Sequence, residues 1–334
     1  MRVLSKNDVE RLLPMHGAID IVQRVFLATG TPVLVEPVRT VVRVPGHEGV
    51  LASMPAFLDE GGSGGFGLKT VVVNPGNAAR GLETHQGVVI TFDDVTGVPS
   101  AVIEAGSLTA IRTAAASAVA TRALAKARTG RIAVLGTGLQ ARLHLRAVAA
   151  VHDVSSAAVW GRDPHKAEEV ASWARQDLGL PVEACTTVRA ATHDADVVST
   201  VTSTREPILA AADLRAGAHV NAVGACFPDA RELSTDLVER ARLVVDRREA
   251  ARTEAGDLLL AAAELGPVLD RAVELGEVLR GEHAGREADD DITVFESLGF
   301  AALDVATGRY LVRQAVARGI GTDLALDAGS GQSR

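Results

Sequence analysis

The sequence predicts an α/β protein, with a doubly wound parallel sheet in its second half joined to a smaller α+β sheet domain. Three observations predict it. The stretch RIAVLGTGLQARLHLRAVAAV, starting at Arg131, runs from an apolar strand through a Gly-rich turn straight into a helix. Beyond it, short apolar strands alternate with helical segments, as crossover connections in a parallel sheet require. In the first hundred or so residues the apolar period is two instead, in Val-rich runs separated by turns.

Taken in order, Ser5 with Asp8 has the spacing of a capping box, and the helix it starts ends near Pro14. A second helix is expected from Ala18 to Ala28, stopping at Gly30. PVRTVVRV (37–44) alternates as a strand does, and further strands are expected at 49–54, 66–73, 87–92 and 99–105. Asn74-Pro75-Gly76 and Asp93–Gly97 supply turns between them. Thr109 to Ala127 is Ala-rich without Gly or Pro and predicts one long helix. The parallel strands are then Arg131–Leu135, Ala157–Trp160, Val182–Cys185, Asp196–Val201, His219–Val223 and Leu243–Val245. The tail from Phe295 to about Ala317 reads as helix, and the Gly- and Ser-rich end beyond Gly319 is expected to fray. The expected domains are residues 1–112 with 296–334, for substrate binding and dimerisation, and 113–295, for a dinucleotide.

Composition narrows the function classes. The chain has 334 residues, 47% of them hydrophobic and 23% charged, which is globular rather than disordered. A net charge of −8 and only 3% aromatic residues argue against nucleic acid as a partner, since both phosphate neutralisation and base stacking are lacking. No apolar run approaches the roughly 20 residues of a membrane span, and the charges in MRVLSKNDVERLL do not suit a signal peptide. Two cysteines, Cys185 and Cys226, make neither a disulfide framework nor a zinc-ligand spacing. A cytoplasmic location and no metal are therefore expected.

Gly136-Thr137-Gly138-Leu139-Gln140-Ala141 has the G-x-G-x-x-A spacing of a dinucleotide-binding turn. Gly136 allows the tight turn, Gly138 a close backbone approach to a pyrophosphate, and Ala141 close helix–strand packing. The first-turn amides then face the phosphates. The bland alternative is an ordinary Gly-rich turn. At the end of the next strand, Gly161 and Arg162 stand where an NAD enzyme carries an acid, with Lys166 one turn on. A guanidinium there suits the 2′-phosphate of NADP, so NADPH is the expected cofactor with NADH as the alternative. Asp163 either neutralises Arg162 or takes the 2′-hydroxyl itself, and a solvated turn pair is the plainest reading. Lys69 lies in an aliphatic strand, where an unpaired ammonium is costly. Its partner is a substrate carboxylate or an Asp or Glu elsewhere. Arg112, near the expected helix start, is disfavoured by the helix dipole and needs an anion too.

These residues resemble the ornithine cyclodeaminase/mu-crystallin family, over nearly the whole chain. The resemblance is carried by PVRTVV (37–42), MPAF (54–57), LKTVVVNPGN (68–77), THQG (84–87), LTAIRTAAASAVAT (108–121), GTGLQA (136–141), VTSTREPIL (201–209), HVNAVGACFPDAREL (219–233) and ITVFESLG (292–299). It is strongest to the mu-crystallin and ketimine reductase branch. The resemblance implies a homodimer built through the sheet domain and NAD(P)-dependent chemistry on an amino acid or its imine. It also implies that Arg39, Lys69 and Arg112 face the substrate carboxylate. Thr84, His85 and Ser297 would lie beside the nicotinamide, with His85 donating to the cofactor, relaying a proton, or serving only structure. Thr202, Ser203 and Val223 end strands on the ligand-binding edge of the sheet. Glu296 departs from the Lys the family often has before that Ser. In the loop Gly224-Ala225-Cys226-Phe227-Pro228-Asp229, Cys226 occupies the position of the cyclodeaminase base, and Asp229 matches a Pro-Asp pair of the reductases.

The expected function is an NAD(P)H-dependent reductase of cyclic ketimine carboxylates, taking Δ1-pyrroline-2-carboxylate or Δ1-piperideine-2-carboxylate to L-proline or L-pipecolate. The alternatives are an alanine or N-alkyl amino-acid dehydrogenase, ornithine cyclodeaminase, and a protein that binds NADPH and a small ligand without turnover.

Overall fold

The computed structural model of the chain describes residues 1–59, 64–126 and 130–326. Two compact units emerge: 1–21, 30–112 and 300–334 in one, and 22–29 with 113–299 in the other. No helix among the described residues is long and apolar enough to cross a membrane.

In the first unit the strands run, edge to edge, Thr322–Asp323, Arg2–Leu4, Pro99–Glu104, His85–Phe92, Gly65–Val73, Val50–Leu58 and Leu34–Val35, and Thr40–Arg43 also pairs with Val50–Leu58. Only Arg2–Leu4 against Pro99–Glu104 is parallel. Arg2–Leu4 was not expected, because three residues are too few to show a period. Met54, Ala56, Gly67 and Lys69 face one way, as the register Met54↔Lys69 and Ala56↔Gly67 requires. The helix Ala301–Arg318 covers that face so closely that a Cβ on Gly67 would stand 2.5 Å from Val305. The capping box of Ser5 and Asp8 forms and starts the helix Lys6–Leu12.

The second unit carries a sheet in the order Val182–Cys185, Ser156–Trp160, Arg131–Leu135, Val197–Thr200, His219–Ala222, Thr293–Glu296, Arg242–Val245 and Val273–Glu274. Every neighbouring pair is parallel. The order reverses direction at Arg131–Leu135 and Val197–Thr200, which is the switch point where doubly wound sheets take a ligand.

Three expectations change. Phe295 and Glu296 belong to the buried strand Thr293–Glu296, and the tail helix starts only at Ala301. A strand covered on both faces reads as an unbroken apolar run, which periodicity cannot separate from helix. Residues 22–29 go with the second unit, where Phe26 meets Phe295 edge-on at 6.2 Å. The long helix spans Ala105–Leu124, four residues earlier than expected. Glu104 caps it, accepting from Gly106 N at 2.5 Å and Ser107 N at 2.9 Å, so Gly106 does not interrupt it. Its expected last residue, Ala127, and the Gly- and Ser-rich end at 327–334 lie outside the described residues.

Candidate active site

The first unit gathers cations around one carboxylate. Lys69 Nζ donates to Asp304 Oδ1 at 3.2 Å, Arg112 Nε to the same oxygen at 3.0 Å, and Thr109 Oγ1 at 3.4 Å. Lys69 and Arg112 are 3% and 4% exposed and Asp304 is fully buried, so these are interior charges. The partner that Lys69 requires thus comes from the tail helix. Arg112 does not sit near a helix start, as expected, but about two turns in, and Asp304 rather than the end of the helix governs its placement.

Only Nε of Arg112 is hydrogen-bonded among the described residues, so both Nη groups remain available as a fork for a carboxylate. Lys69 likewise spends one of its three donors. Arg39 is half-buried and near enough for its charge to act on Lys69. Burial, opposed by Asp304 and assisted by the charges of Arg112 and Arg39, brings the Lys69 pKa from 10.5 down to about 8. Asp304 is held below the usual carboxylate range: its burial is outweighed by Arg112 and Lys69.

His85 opens the strand His85–Phe92 and shares a 3.0 Å hydrogen bond between Nδ1 and Thr84 Oγ1. Desolvation of its ring and the charges of Lys69 and Arg112 pull its pKa to about 4, although the residue keeps an exposed flank. It is therefore neutral at pH 7. Arg39, Lys69, His85 and Arg112 are thus brought together, with Asp304 as a member that sequence reasoning missed. Its signal was there: FAALDVA (300–306) places a lone Asp in an apolar run, the same anomaly that marked Lys69.

In the second unit, Gly136 has φ 138°, and a Cβ there would stand 2.8 Å from the Val201 carbonyl oxygen. Only glycine tolerates both. Gly138 caps the helix Leu139–Ala149 with no side-chain hydrogen bond, and no atom lies within 4 Å of where its Cβ would be. The space beside Gly138 is therefore open at the start of this helix, as the close approach of a pyrophosphate requires. Ala141 is fully buried in the cluster of Ile132 and Val134. His144, one turn on and fully buried, bridges Gln140 O at 2.8 Å and Ser117 Oγ at 2.9 Å, which fixes this helix from behind.

At the second strand end, a Cβ on Gly161 would collide with the Thr137 methyl group. Asp163 caps the helix Pro164–Asp177, accepting from His165 N at 3.0 Å and Lys166 N at 3.5 Å. Its Oδ1 is thus engaged by backbone amides and not by Arg162. Arg162 and Lys166 are exposed and make no ion pair among the described residues.

Thr202, Ser203, Val223 and Gly224 follow the fourth and fifth strands at the ligand edge. Cys226 is half-buried against the core of this unit, whereas Asp229 is exposed and paired with Arg205 at 2.5 Å. Ser297 is 4% exposed, and its Oγ has no hydrogen-bond partner among the described residues. Glu296 beside it is pushed well above the usual carboxylate range by burial and by Asp257, Glu232 and Asp246. It puts a carboxyl, not a cation, beside Ser297.

The model of the ornithine cyclodeaminase/mu-crystallin family matches residues 1–319. A Δ1-pyrroline-2-carboxylate reductase of Bacillus cereus is 35% identical over 323 residues, which is 96% of this chain and 98% of that protein. Ketimine reductase mu-crystallin of Mus musculus is 38% identical over 278 residues, 83% of this chain and 84% of that protein. Among solved structures, Thermococcus litoralis Δ1-pyrroline-2-carboxylate reductase in complex with NADH and L-proline matches with a TM-score of 0.93 at 34% identity. It covers 97% of this chain and 100% of that one.

Proposed function

Since the chain belongs to the ornithine cyclodeaminase/mu-crystallin family, we propose that it is an NAD(P)H-dependent reductase of cyclic ketimine carboxylates. Δ1-Pyrroline-2-carboxylate and Δ1-piperideine-2-carboxylate are its substrates, and L-proline and L-pipecolate its products. The observation that carries the reading is Arg112, anchored through Nε to Asp304 with its Nη fork free. That fork, with Lys69 and Arg39, clamps the substrate carboxylate and orients the imine carbon. Bound NAD(P)H supplies the hydride that the imine carbon accepts. The nitrogen takes a proton in the same reduction. Lys69, with its pKa near 8, is still an ammonium at pH 7 and a stronger acid than an ordinary lysine. His85, with a pKa near 4, is neutral there, so it orients by hydrogen bonding and does not supply the proton. Residues Gly136 to Gln140 hold the pyrophosphate, and Thr202, Ser203, Val223 and Ser297 belong to the nicotinamide end.

Reduction is favoured over cyclodeamination. Cyclodeamination needs a base beside the amine, and Cys226 offers a thiol, a group whose ordinary pKa is about 8.5. Asp229, the nearest substitute, is occupied by Arg205. The test is steady-state: purified protein should oxidise NADPH with either cyclic imine and release no ammonia from ornithine. Rapid redox-neutral loss of ammonia from ornithine would replace this reading with cyclodeaminase. Binding of NADPH without turnover of any imine would make it a binding protein.

NADPH is preferred over NADH on the strength of Arg162. Asp163 caps a helix, which leaves the guanidinium for a 2′-phosphate. Arg162→Ala should weaken NADPH by about 1.5–3 kcal/mol, roughly 10- to 150-fold, and NADH hardly at all. A wild-type preference for NADH would remove Arg162 from this role.

The assembly is a homodimer built on the sheet of the first unit. The tail helix covers one face, and the other presents Phe66, Leu51 and Val72 at 59%, 39% and 37% exposure. Leu51 and Val72 are directly opposite in register, and Phe66 lies opposite Phe57 toward the other end of the same face. Light scattering should give twice the 34.7 kDa chain mass, and a monomer would refute it. Cys185 and Cys226 form no disulfide among the described residues, and two such thiols suit the reducing cytoplasm.

A further inference from the structure

Glu232 is fully buried at the ligand edge of the parallel sheet, and four donors converge on it. Thr202 N and Thr202 Oγ1 donate to Oε1, each at 2.6 Å. Thr200 Oγ1 and Gly224 N donate to Oε2, each at 2.7 Å. Two carboxylate oxygens offer about four acceptor positions, so all are filled. Burial pushes the Glu232 pKa up and these donors pull it down. The donors only partly offset burial, so the Glu232 pKa stays raised.

The contacts around it are tight. A Cβ on Gly224 would run into the Thr202 carbonyl and the Glu232 carboxylate, so only glycine fits there. A Cβ on Gly136 would strike Val201, the residue before Thr202. The fingerprint turn, the Val201–Thr202 segment and the Gly224 loop are therefore one packed assembly with Glu232 at its centre. From behind, Asp257 Oδ1 accepts from Glu232 N and Leu233 N at 2.7 Å each and fixes the backbone of Glu232.

The strand order decides what this assembly serves. Ser156–Trp160, with Gly161 and Arg162 after it, lies on one side of the fingerprint strand. Val197–Thr200 and His219–Ala222 lie on the other. With the pyrophosphate over the fingerprint turn, the adenosine half extends to the first side and the nicotinamide half to the second. We propose that Glu232 is a positioning residue for the nicotinamide half of the dinucleotide, acting through the backbones of Thr202 and Gly224. The assignment rests on the dinucleotide reading given above.

Equilibrium titration with the reduced dinucleotide that wild type binds more tightly, and with its matching ADP-ribose or 2′-phospho-ADP-ribose fragment, tests it. Glu232→Gln keeps the shape but turns an amide NH2 toward two of the donors. It should weaken the dinucleotide at least about 10-fold and the fragment, which lacks nicotinamide, no more than about 2-fold. Thr200→Val, which removes one donor at nearly constant shape, should give a smaller loss in the same sense. It should add nothing in the Glu232→Gln background. Wild-type dinucleotide affinity in both variants would overturn the assignment, and so would equal weakening of dinucleotide and fragment. If Glu232→Gln does not fold, an unchanged dinucleotide-to-fragment ratio in Thr200→Val overturns it alone. Wild type that binds neither NADPH nor NADH would overturn the dinucleotide reading itself, and this assignment with it.

Discussion

Arg112→Ala and Lys69→Ala should each lower kcat/KM for Δ1-pyrroline-2-carboxylate by at least about 100-fold. Arg112 is the stronger case. Its Nε is tied to Asp304 at 3.0 Å, which aims the Nη fork without consuming it. Removing the fork takes away both the charge pairing and the alignment of the imine carbon, and misalignment alone is expensive in rate. Lys69→Ala removes the nearby ammonium and, on the reading above, the proton donor. Affinity for NADPH should change less than kcat/KM in either variant, since both residues are assigned to the substrate carboxylate. Cyclic imines without a carboxylate should be poor substrates for wild type and should barely distinguish it from the variants. Near-wild-type turnover in Arg112→Ala would take that residue out of the site.

Asp304→Asn should change both stability and pH dependence. It leaves an ammonium and a guanidinium in the interior with no counter-charge, and breaking a buried pair in this way costs about 3–5 kcal/mol. The pH effect follows from Lys69. In wild type, kcat/KM should fall as pH rises through about 8, where Lys69 loses its proton. Asp304 is the group that raises the Lys69 pKa against desolvation, Arg112 and Arg39. Without it the alkaline limb should move to lower pH. The stability linkage has a definite sign. The folded-state pKa of Lys69 lies below its ordinary 10.5, so its cost to folding is complete below about pH 8 and relieved between 8 and 10.5. In Asp304→Asn the window over which stability rises with pH should open at a lower pH. Denaturant titrations across pH, alongside the rate profiles, read both. An alkaline limb that stays in place in Asp304→Asn would dissociate Asp304 from Lys69.

The legible parts of this molecule are those whose requirements are local. Gly136, Gly138 and Ala141 declare themselves because turn, approach and packing are settled within six residues. Lys69 and Arg112 were legible as anomalies, charges where the surroundings are aliphatic. What they pair with was not. Asp304 lies 235 and 192 residues away, and an Asp in the first turn of a helix is also ordinary helix chemistry. Glu232 is similar, since its four donors come from residues 8 to 32 positions distant and none creates a local pattern. The strand Thr293–Glu296 was lost because burial on both faces removes the alternation that marks a strand.

The helix Ala301–Arg318 gives this site a schedule during synthesis. Lys69, in a sheet whose inner face has no cover yet, and Arg112, in the helix Ala105–Leu124, leave the ribosome early. Gly67 waits for Val305, and Lys69 and Arg112 for Asp304. Most of the second unit, residues 113–299, is translated between Arg112 and Asp304, with residues 22–29 already made, and can fold first, as domains made in sequence do. A chain paused between Glu296 and Asp304 thus has every strand of the second unit's sheet but leaves Lys69 and Arg112 without their carboxylate. Asp304 is made 192 residues after Arg112, so the buried charge cluster closes late in translation, after residues 113–299 are in place.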